Sequence, residues 1–474
     1  MINEAIIPYK PRNWALKFHN TLVRWIVLII HRRGGKTTAA LNHLVRDALN
    51  HPKTRYAYIA PTHKQAKRIV WGMVKEYTAP IDGIRYNEGE LLVKFKNGSE
   101  LMVVGSDNPD SLRGIALWGC FLDEYPLQSP LVFTEIITKC LADHLGYCIF
   151  GGTPKGKGHF FRIYQVAQDH PEWCLVYRTI DDSLKYEEGE TITRLTQALK
   201  DDRELVRTGL MTQDEFDQEW YNSFEAAVKG AVYRAELAKA REEERITKFV
   251  AHDPHLLTHT VWDLGINKGN SMSIGWYQKY GNEVRMIDYY ENIGQGFAHY
   301  IKIVKEKPYI YGKHFAPHDI KVRELGTGVT RYDTAEKLGL TFELDADGKS
   351  AVPRVSIDDG IDKARAMFNR IFICAKKCEQ FLDFIGMYHY KFDEKKGIFT
   401  KEPYHDFSSN GADQFRYAAL CEDQMVNEMA VVAPTPTPEV SVKDEFVGQE
   451  GYNDGDRHPM FQGVDIGMMG QPKP

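Results

Sequence analysis

Residues 24–49 read RWIVLIIHRRGGKTTAALNHLVRDAL, and this stretch decides the fold of the N-terminal half. The apolar run Trp25–Ile30 predicts a buried strand, and the sequence after Gly35 predicts a helix. A strand that passes through a glycine turn into a helix presents backbone N–H groups at the helix N-terminus, where they can bind phosphate. The stretch therefore predicts an α/β domain with a phosphate-binding turn.

The side chains of this turn suit a nucleotide. Lys36 can neutralise charge on the β- and γ-phosphates, and Thr37 can reach Mg²⁺. The strict motif is incomplete, because Ile30 stands where a glycine is usual five positions before Gly35. A GKT tripeptide alone is weak evidence, but its place between a strand and a helix favours nucleotide binding. The predicted nucleotide-binding set of the turn is Arg32, Arg33, Gly34, Gly35, Lys36, Thr37 and Thr38.

Two adjacent carboxylates end another apolar strand, in GCFLDEYP at residues 119–126. Asp123 is suited to hold Mg²⁺ directly or through water, and Glu124 can polarise an attacking water, as phosphoryl transfer demands. An ordinary strand with a polar C-terminal end is the alternative. Because two half-motifs occur in the expected order, we favour an ATP site that uses both carboxylates.

Two further residues are candidates for the same chemistry. Thr153 follows a strand in YCIFGGTPKGKG, residues 147–158, where its hydroxyl can sense the γ-phosphate. Arg113 lies upstream of the acidic strand in SDNPDSLRGIA, residues 106–116. An arginine at that place can compensate transition-state charge in its own or a neighbouring subunit. A surface salt bridge is an equal alternative for Arg113.

Carboxylates also mark the ends of separate elements in the C-terminal half. Asp263 is embedded in an apolar strand, where a lone charge is costly unless it is paired or binds metal. Asp319 ends another strand, and Asp406 and Asp413 lie before or at the start of a helix. Oxygen-only ligands suit Mg²⁺ or Mn²⁺. Three such carboxylates predict phosphodiester cleavage with two metal ions.

These acidic residues and their neighbours have structural alternatives. Asp413 can simply favour the positive end of the following helix. His318 and His405 are expected to be ordinary loop residues rather than metal ligands. None of the acids is specific by itself, so the prediction rests on their joint occurrence.

Alternating apolar strands and helices in the N-terminal half predict a parallel sheet that is covered on both faces. The strand candidates are 25–30, 56–60, 101–104, 119–122 and 147–150. Charged, helix-forming sequence follows, and a second alternating section begins at residue 258 with three successive strands and ends in a helix over about 412–421. The predicted domains are an ATPase core at 1–180, a helical subdomain and linker at 181–250, a second α/β domain at 251–425 and a disordered acidic tail at 426–474.

Length and composition restrict the class of protein. A chain of 474 residues with 43% hydrophobic side chains can fill two or three cores. Its seven cysteines show no metal-ligand spacing, so we expect buried free thiols rather than a zinc site. The run Trp25–Ile30 is far too short to span a bilayer. With no signal peptide either, a cytosolic protein is expected.

The net charge of −5 is concentrated in the C-terminal tail. Residues 426–474 hold eight acidic and three basic side chains, so residues 1–425 are close to neutral. Phosphate binding needs only local basic surface, and KQAKR at residues 64–68 is one such segment. The total charge therefore argues neither for nor against nucleic acid as a partner.

Taken together and in this order, the motifs resemble those of the terminase large subunits of tailed bacteriophages over roughly residues 9–421. The motifs that carry the resemblance are HRRGGKT (31–37), APTHKQAKRIVW (60–71), DNPDSLRG (107–114), LDE (122–124), GGTPKGKG (151–158), QEWYNSFEAAVKGAVY (218–233), WDLG (262–265) and PHDIKVRELGTG (317–328).

The resemblance implies an ASCE-type P-loop ATPase domain with a parallel-rich sheet, followed by an RNase H-like α/β nuclease domain. It implies ATP-driven translocation of double-stranded DNA into a procapsid and metal-dependent cutting of concatemeric DNA. In the ATPase domain, the family's roles fall on Lys36 and Thr37 for phosphate and Mg²⁺, Asp123 for the metal, Glu124 as catalytic glutamate and Thr153 as the coupling residue.

For the nuclease, the resemblance implies a site with Mg²⁺ or Mn²⁺, as two ions. Asp263 and Asp319 match the first two acids of the family. The third is Asp413 or Asp406, of which we favour Asp413. Many relatives carry another acid shortly after the WDLG glycine, but this chain has INKGN at 266–270, so an auxiliary ligand is absent from that position.

The resemblance also implies partners and a place of action. It implies a pentameric ring docked on the portal protein of the procapsid, with a small terminase subunit that selects the DNA. It implies action in the host bacterial cytoplasm, without a membrane and without incorporation into the mature virion. Residues 9–14 can contribute to adenine stacking, although packing of Trp14 into the core is an equal alternative.

Two other functions are compatible with parts of the sequence. One is a helicase-like nucleic-acid ATPase whose second domain does not cleave. The other is a docking subunit in which the region of Asp263 is only a folded scaffold. The separate carboxylates distinguish them, because a binding or scaffold domain has no need of acids at several strand ends.

Overall fold

Two separate β-sheets, one in each half of the chain, organise the protein. The computed structural model describes residues 7–225, 228–265, 271–323, 328–393 and 398–427. Both sheets lie within one compact unit that ends at Glu428. The predicted acidic tail therefore lies outside the described residues from position 428 onward.

The first sheet has eight strands and is parallel over six of them. Its order is β3-β4-β5-β2-β6-β7-β1-β8, and only β3, β4 and β5 pair antiparallel. Each of the five strands predicted in this half is present, and β3, β4 and β8 are additional. The strands are β1 Trp25–Ile30, β2 Arg55–Ala60, β3 Arg85–Asn87, β4 Leu92–Lys94, β5 Glu100–Gly105, β6 Gly119–Leu122, β7 Tyr147–Gly151 and β8 Trp173–Arg178.

Helices cover both faces of this sheet, as the long apolar runs of its strands indicated. Along β1, Ile26 and Leu28 enter one core cluster, while Val27 and Ile29 enter the other on the opposite face. Burial on both faces explains why the strand is apolar at every position. The helices are α1 Asn13–His19, α2 Lys36–Asn50, α3 His63–Gln65, α4 Trp71–Thr78, α5 Thr138–Cys140 and α6 His159–Asp169, with π-helical turns at Ala66–Val70 and Val132–Ile137.

A small helical region follows the first sheet. The helices α7 Ile180–Tyr186, α8 Glu190–Arg207 and α9 Gln213–Tyr221 share a core of their own around Leu199 and Trp220. The next helix, α10 Arg234–Glu242, instead packs through Leu237 into the core of the second sheet. The chain thus passes from one half to the other between α9 and α10.

The second sheet has six strands in the order β13-β10-β11-β12-β14-β9. The three strands β10, β11 and β12 form an antiparallel meander, and β13 pairs parallel with β10. This arrangement confirms the expected second α/β domain with a mixed sheet. The strands are β9 Ile246–Thr247, β10 Thr258–Asp263, β11 Met272–Tyr280, β12 Glu283–Asn292, β13 Tyr311–Phe315 and β14 Ile371–Cys374.

The remaining elements surround the second sheet. They are α11 Phe297–Glu306, α12 Arg331–Lys337, α13 Ile357–Phe368, α14 Glu379–Met387, the hairpin of β15 Tyr390–Asp393 and β16 Ile398–Pro403, and α15 Ser409–Cys421. The last helix begins at Ser409, earlier than the predicted start near residue 412. The side chain of Asp406 accepts a hydrogen bond from the Ser408 backbone N–H at 2.8 Å and fixes the turn before the helix.

All seven cysteines are buried and free, which confirms the expected thiols. Among the described residues, no helix is long and apolar enough to cross a membrane.

The aromatic core beneath α15 gives a test of this packing. Phe415 is fully buried, with its ring centroid 4.8 Å from that of Phe368 and 5.3 Å from that of Phe381. Phe415→Ala should lower the free energy of unfolding by about 3–5 kcal/mol, because it leaves a cavity. Phe249 is 64% exposed, so Phe249→Ala should change it by less than about 0.5 kcal/mol. Equal losses in urea denaturation would contradict the packing.

Candidate nucleotide and nuclease sites

The glycine turn after β1 has the backbone geometry that a phosphate site needs. Gly35 has a φ of 84° and precedes the first residue of α2. A Cβ atom on Gly34 would lie 2.3 Å from the Ile30 side chain, so only glycine fits there. Ile30 is the last residue of β1, and its side chain packs under the turn at Gly34. The position where the phosphate-binding motif usually has a glycine therefore has a packing role here. The indole N–H of Trp14 donates to the Gly34 carbonyl at 3.1 Å, and Trp14 is 5% exposed.

Three strand ends bring the predicted ATPase residues together. Thr37 Oγ1 donates to Asp123 Oδ2 at 3.0 Å, and Lys36 Nζ lies 3.3 Å from Glu124 Oε1. The backbone N–H of Thr153 donates to Glu124 Oε2 at 3.4 Å. These contacts join the ends of β6 and β7 to the start of α2, so one cluster contains a cation, two carboxylates and two hydroxyls.

The carboxylate of Asp123 is buried and closely held. Burial raises its pKa above the usual range, while the ammonium of Lys36 opposes the rise. The hydroxyl of Tyr58 also donates to Asp123. The Gln128 amide donates to the Asp123 backbone carbonyl at 2.7 Å and so fixes the chain at this position. Asp123 is thus held for contact with Thr37, whereas the Glu124 side chain is 38% exposed and faces solvent.

A cavity of about 510 Å³ opens over the glycine turn. It is lined by the seven predicted turn residues together with Arg12, Ile30, His31, Glu124, Thr153 and Glu219. Arg32 at its rim lies 3.5 Å from Asp202 of α8 and is half-exposed. The predicted nucleotide-binding set therefore surrounds one space, with Asp123 beneath it.

Arg113 does not line this cavity. Its guanidinium donates to the Ile293 carbonyl at 3.4 Å, and a Cβ on Gly294 would collide with it. Arg113 thus lies against the end of β12 in the second half of the chain. The structure does not bring it to the nucleotide site of its own subunit, and action on a neighbouring subunit stays a prediction.

The carboxylates predicted for a nuclease approach one another at one edge of the second sheet. Asp263 ends β10, and its register partner on β11 is Ser273. Asp319 lies in the 3₁₀ turn His318–Lys321 after β13, and Asp413 lies in α15. Each of these three aspartates is partly exposed.

Electrostatics link these carboxylates to one another. Burial is the main cause that raises the pKa of Asp263 well above its usual range. Nearby carboxylates add to the rise, and the guanidinium of Arg416 opposes it. Arg416 donates to Asp413 Oδ1 at 3.0 Å. The carboxylates that raise the pKa of Asp263 are Asp413, Glu291 and Asp319.

Asp406 occupies a different place from the other three. Its carboxylate accepts from the backbone N–H and hydroxyl of Ser408, and it lines a cavity of about 470 Å³ between the two halves. This arrangement favours Asp413 as the third acid.

The two histidines predicted to be loop residues lie near these acids. His405 contacts the Ser409 hydroxyl at 2.9 Å, and His318 Nε2 lies 2.9 Å from Asp319 Oδ1.

Sequence reasoning did not identify Glu291, the fourth carboxylate of this cluster. Its register partner on β11 is Ser273, which also pairs with Asp263, so the three residues lie in one row across the sheet. Burial raises the pKa of Glu291 to about 7. The signal in the sequence was a carboxylate near the end of the predicted strand EVRMIDYYE, which the meander aligns with Asp263.

The donor types of this cluster fit a hard divalent cation. Asp263, Asp319 and Asp413 are partly exposed, and their carboxylate oxygens are the ligand type that Mg²⁺ or Mn²⁺ prefers. In the described part of the chain, no three His, Cys, Asp or Glu side chains are arranged to hold one ion. Binding would therefore require the carboxylates to rotate toward the ion. The segment 266–270, where the resemblance led us to look for another acid, lies outside the described residues.

The loop of Thr153 gives a stability test of the nucleotide site. A Cβ on Gly152 would lie 2.2 Å from Pro126 Cδ. Gly152→Ala should lower the free energy of unfolding by about 1–3 kcal/mol, because overpacking displaces the loop. A Cβ on Gly72 in α4 would meet no atom within 4 Å, so Gly72→Ala should raise stability by roughly 0.5–1 kcal/mol. The same sign for both variants in chemical denaturation would contradict the close contact with Pro126.

Known proteins match the half of the chain that contains the first of these sites. Residues 29–222 match the family model described as terminase large subunit, T4likevirus-type, N-terminal. The chain is 28% identical over 182 residues to the terminase large subunit of Thermus virus P23-45, covering 34% of this chain and 37% of that protein. The terminase large subunit of Thermus phage G20c is 27% identical over the same length. The chain thus spans 37% of the length of the curated relatives that it matches.

Solved structures of the same kind also align with the chain. The large terminase ATPase domain of Thermus phage P74-26 is 22% identical, with a TM-score of 0.39 and coverage of 46% of this chain and 95% of that chain. The HK97 bacteriophage large terminase is 11% identical, with a TM-score of 0.41 and coverage of 87% and 95%. The family match over residues 29–222 and the motifs within it establish that the chain resembles the terminase large subunits of tailed bacteriophages.

Proposed function

We propose that the chain is a terminase large subunit that uses ATP to move double-stranded viral DNA into a procapsid and cuts concatemeric DNA in a metal-dependent reaction. The observation that carries the proposal is the convergence of Lys36, Thr37, Asp123, Glu124 and Thr153 around one cavity. The match of residues 29–222 to the terminase family supports the same function.

In the ATPase half, each side chain has a role that follows from its position. The turn and Lys36 bind the phosphates of ATP, and Thr37 with Asp123 holds Mg²⁺. Glu124 orients the attacking water, and in the structure it lies within reach of both Lys36 and the Thr153 backbone. Loss of the γ-phosphate would free Lys36 to approach Glu124, and the contact to Thr153 would carry this change into its loop.

In the second half, we propose that Asp263, Asp319 and Asp413 bind two Mg²⁺ or Mn²⁺ ions. When bound, the ions supply Lewis-acid stabilisation and lower the pKa of water. The aspartates would hold the ions at the carboxyl end of β10, and Arg416 orients Asp413 through its hydrogen bond. Asp406 is the lesser candidate, because its carboxylate fixes the turn before α15.

The principal alternative is a helicase-like nucleic-acid ATPase with a second domain that does not cleave. The row of Asp263, Ser273 and Glu291 with Asp413 beside it argues against this alternative, because a binding domain gains nothing from several adjacent carboxylates. A plasmid-digestion assay with Mn²⁺ distinguishes the two functions.

The resemblance supports further proposals about assembly. The partners would be the portal protein and a small terminase subunit, and the working form a pentameric ring in the host cytoplasm. Arg113 would act on a neighbouring subunit.

We propose the domain division given above, with one refinement. Because Val232, Tyr233 and Leu237 pack with the second sheet, we place the start of the nuclease domain near residue 231.

Substitutions in the nucleotide site should separate the two activities. Lys36→Ala and Glu124→Ala should each lower DNA-stimulated ATP hydrolysis by roughly 100-fold or more, because each removes stabilisation of transition-state charge. Mn²⁺-dependent plasmid cleavage should stay close to that of the unmodified chain, since its carboxylates lie at another sheet. Joint loss of both activities in folded protein would refute two independent sites.

Asp263→Ala should have the opposite effect. It should abolish plasmid cleavage while ATP turnover continues, because it removes a carboxylate that a cation needs. Mn²⁺ should raise the melting temperature of the unmodified chain, since a ligand that binds only the folded state stabilises it. This increment should shrink in Asp263→Ala and persist in the matched control Asp347→Ala, whose side chain is 74% exposed. Cleavage at the original rate by Asp263→Ala would remove it from the site.

A further inference from the structure

Glu291 is a buried carboxylate that the proposed chemistry does not use. It lies near the end of β12 and is 3% exposed. The hydroxyl of Ser271 donates to one carboxylate oxygen, and the hydroxyl of Tyr289 donates to the other. Both oxygens are therefore engaged by protein donors, so Glu291 is poorly suited to bind an ion directly.

The hydrogen bonds of Glu291 lead to the first turn of α15. The amide of Asn410 donates to the Ser271 hydroxyl at 2.7 Å. The hydroxyl of Ser273 donates in turn to the Asn410 carbonyl at 3.1 Å. Glu291, Ser271 and Asn410 thus form a chain that ties the helix to two strands of the sheet.

Close packing reinforces this attachment. A Cβ on Gly411 would lie 2.6 Å from the Tyr289 hydroxyl and 3.7 Å from Glu291 Oε2. The first turn of α15 therefore lies directly against Tyr289 and Glu291, with no room for a side chain. Asp413 follows directly after this turn, so its position depends on how the turn is seated.

Glu291 lies beside the N-terminal end of a helix. Among the described residues, no Lys, Arg or His forms an ion pair with it. The start of α15, a helix of 13 residues, places the positive end of a helix dipole near Glu291, because a Cβ on Gly411 would lie 3.7 Å from Glu291 Oε2. A carboxylate at that end attracts the helix, whereas a neutral side chain would not.

We propose that Glu291 is a positioning residue that holds the N-terminal turn of α15 on the sheet and thereby keeps Asp413 beside Asp263. Its functional consequence rests on the proposed nuclease activity, but its structural consequence does not. Groups of this kind, which orient ligands without touching the ion, change metal affinity by about 10–100-fold when they are removed.

The structural arm of the test is hydrogen exchange of the backbone amides at 413–416, which are protected only when the first turn of α15 is formed. Glu291→Gln should accelerate their exchange by about 10-fold or more. The matched control is Asp288→Asn, because Asp288 is on the same strand and 4% exposed but pairs with Lys307 at 2.6 Å. The Asp288→Asn variant should leave exchange at 413–416 unchanged.

A second variant is Tyr289→Phe, which keeps the carboxylate of Glu291 and removes one of its hydrogen-bond donors. It should give a smaller acceleration of exchange, and it replaces Glu291→Gln if the Glu291→Gln variant does not fold.

The functional arm measures DNA cleavage against Mn²⁺ concentration. Glu291→Gln should raise the Mn²⁺ concentration for half-maximal cleavage by about 10-fold, with the rate largely recovered at saturating Mn²⁺. Unchanged exchange at 413–416 in Glu291→Gln and Tyr289→Phe, or equal acceleration in Asp288→Asn, would overturn the proposal. An unmodified chain that cleaves no DNA would instead refute the nuclease, while the exchange arm would still decide the role of Glu291.

Discussion

The candidate nucleotide site depends on one constraint: β6, β7 and β1 are adjacent and parallel, so their carboxyl ends meet at one edge of the sheet. The glycine turn, the Asp123–Glu124 pair and Thr153 each follow one of these strands. Their convergence therefore requires no long-range adjustment of loops. This convergence buries Asp123, and burial raises the pKa of its carboxyl group. The buried carboxylate needs hydrogen-bond donors, which are the hydroxyls of Tyr58 and Thr37.

The second sheet gathers its carboxylates by a related route. Because β10 and β12 are both antiparallel to β11, they run in the same direction and end at the same edge. Asp263 and Glu291 come together there, and α15 brings Asp413 over them. Burial of several like charges is unfavourable, and here Arg416 and His405 oppose the rise in the pKa of Asp413 that burial causes.

One helix joins the loop of Thr153 to the second half. Helix α6 follows the GGTPKGKG loop, and its Arg162 pairs with Glu379 at 3.0 Å and with Asp383, both on α14. Burial raises the pKa of Asp383 to about 6, and the guanidinium of Arg162 opposes the rise. A shift of the loop would therefore act on an ion pair that is partly shielded from water, where charge interactions are stronger than at the surface.

The sequence by itself determined the two α/β halves, the five predicted strands of the first sheet and the residues that surround the candidate nucleotide site. Such features depend on local patterns: apolar runs, a glycine turn and acids at strand ends. The tertiary structure decided what depends on register and packing. It placed Asp413 near Asp263 and Asp406 against Ser408. It also placed Arg113 against Ile293 and aligned Glu291 with Asp263. No local pattern contains this information, because strand pairing and helix docking bring together residues that are far apart in the chain.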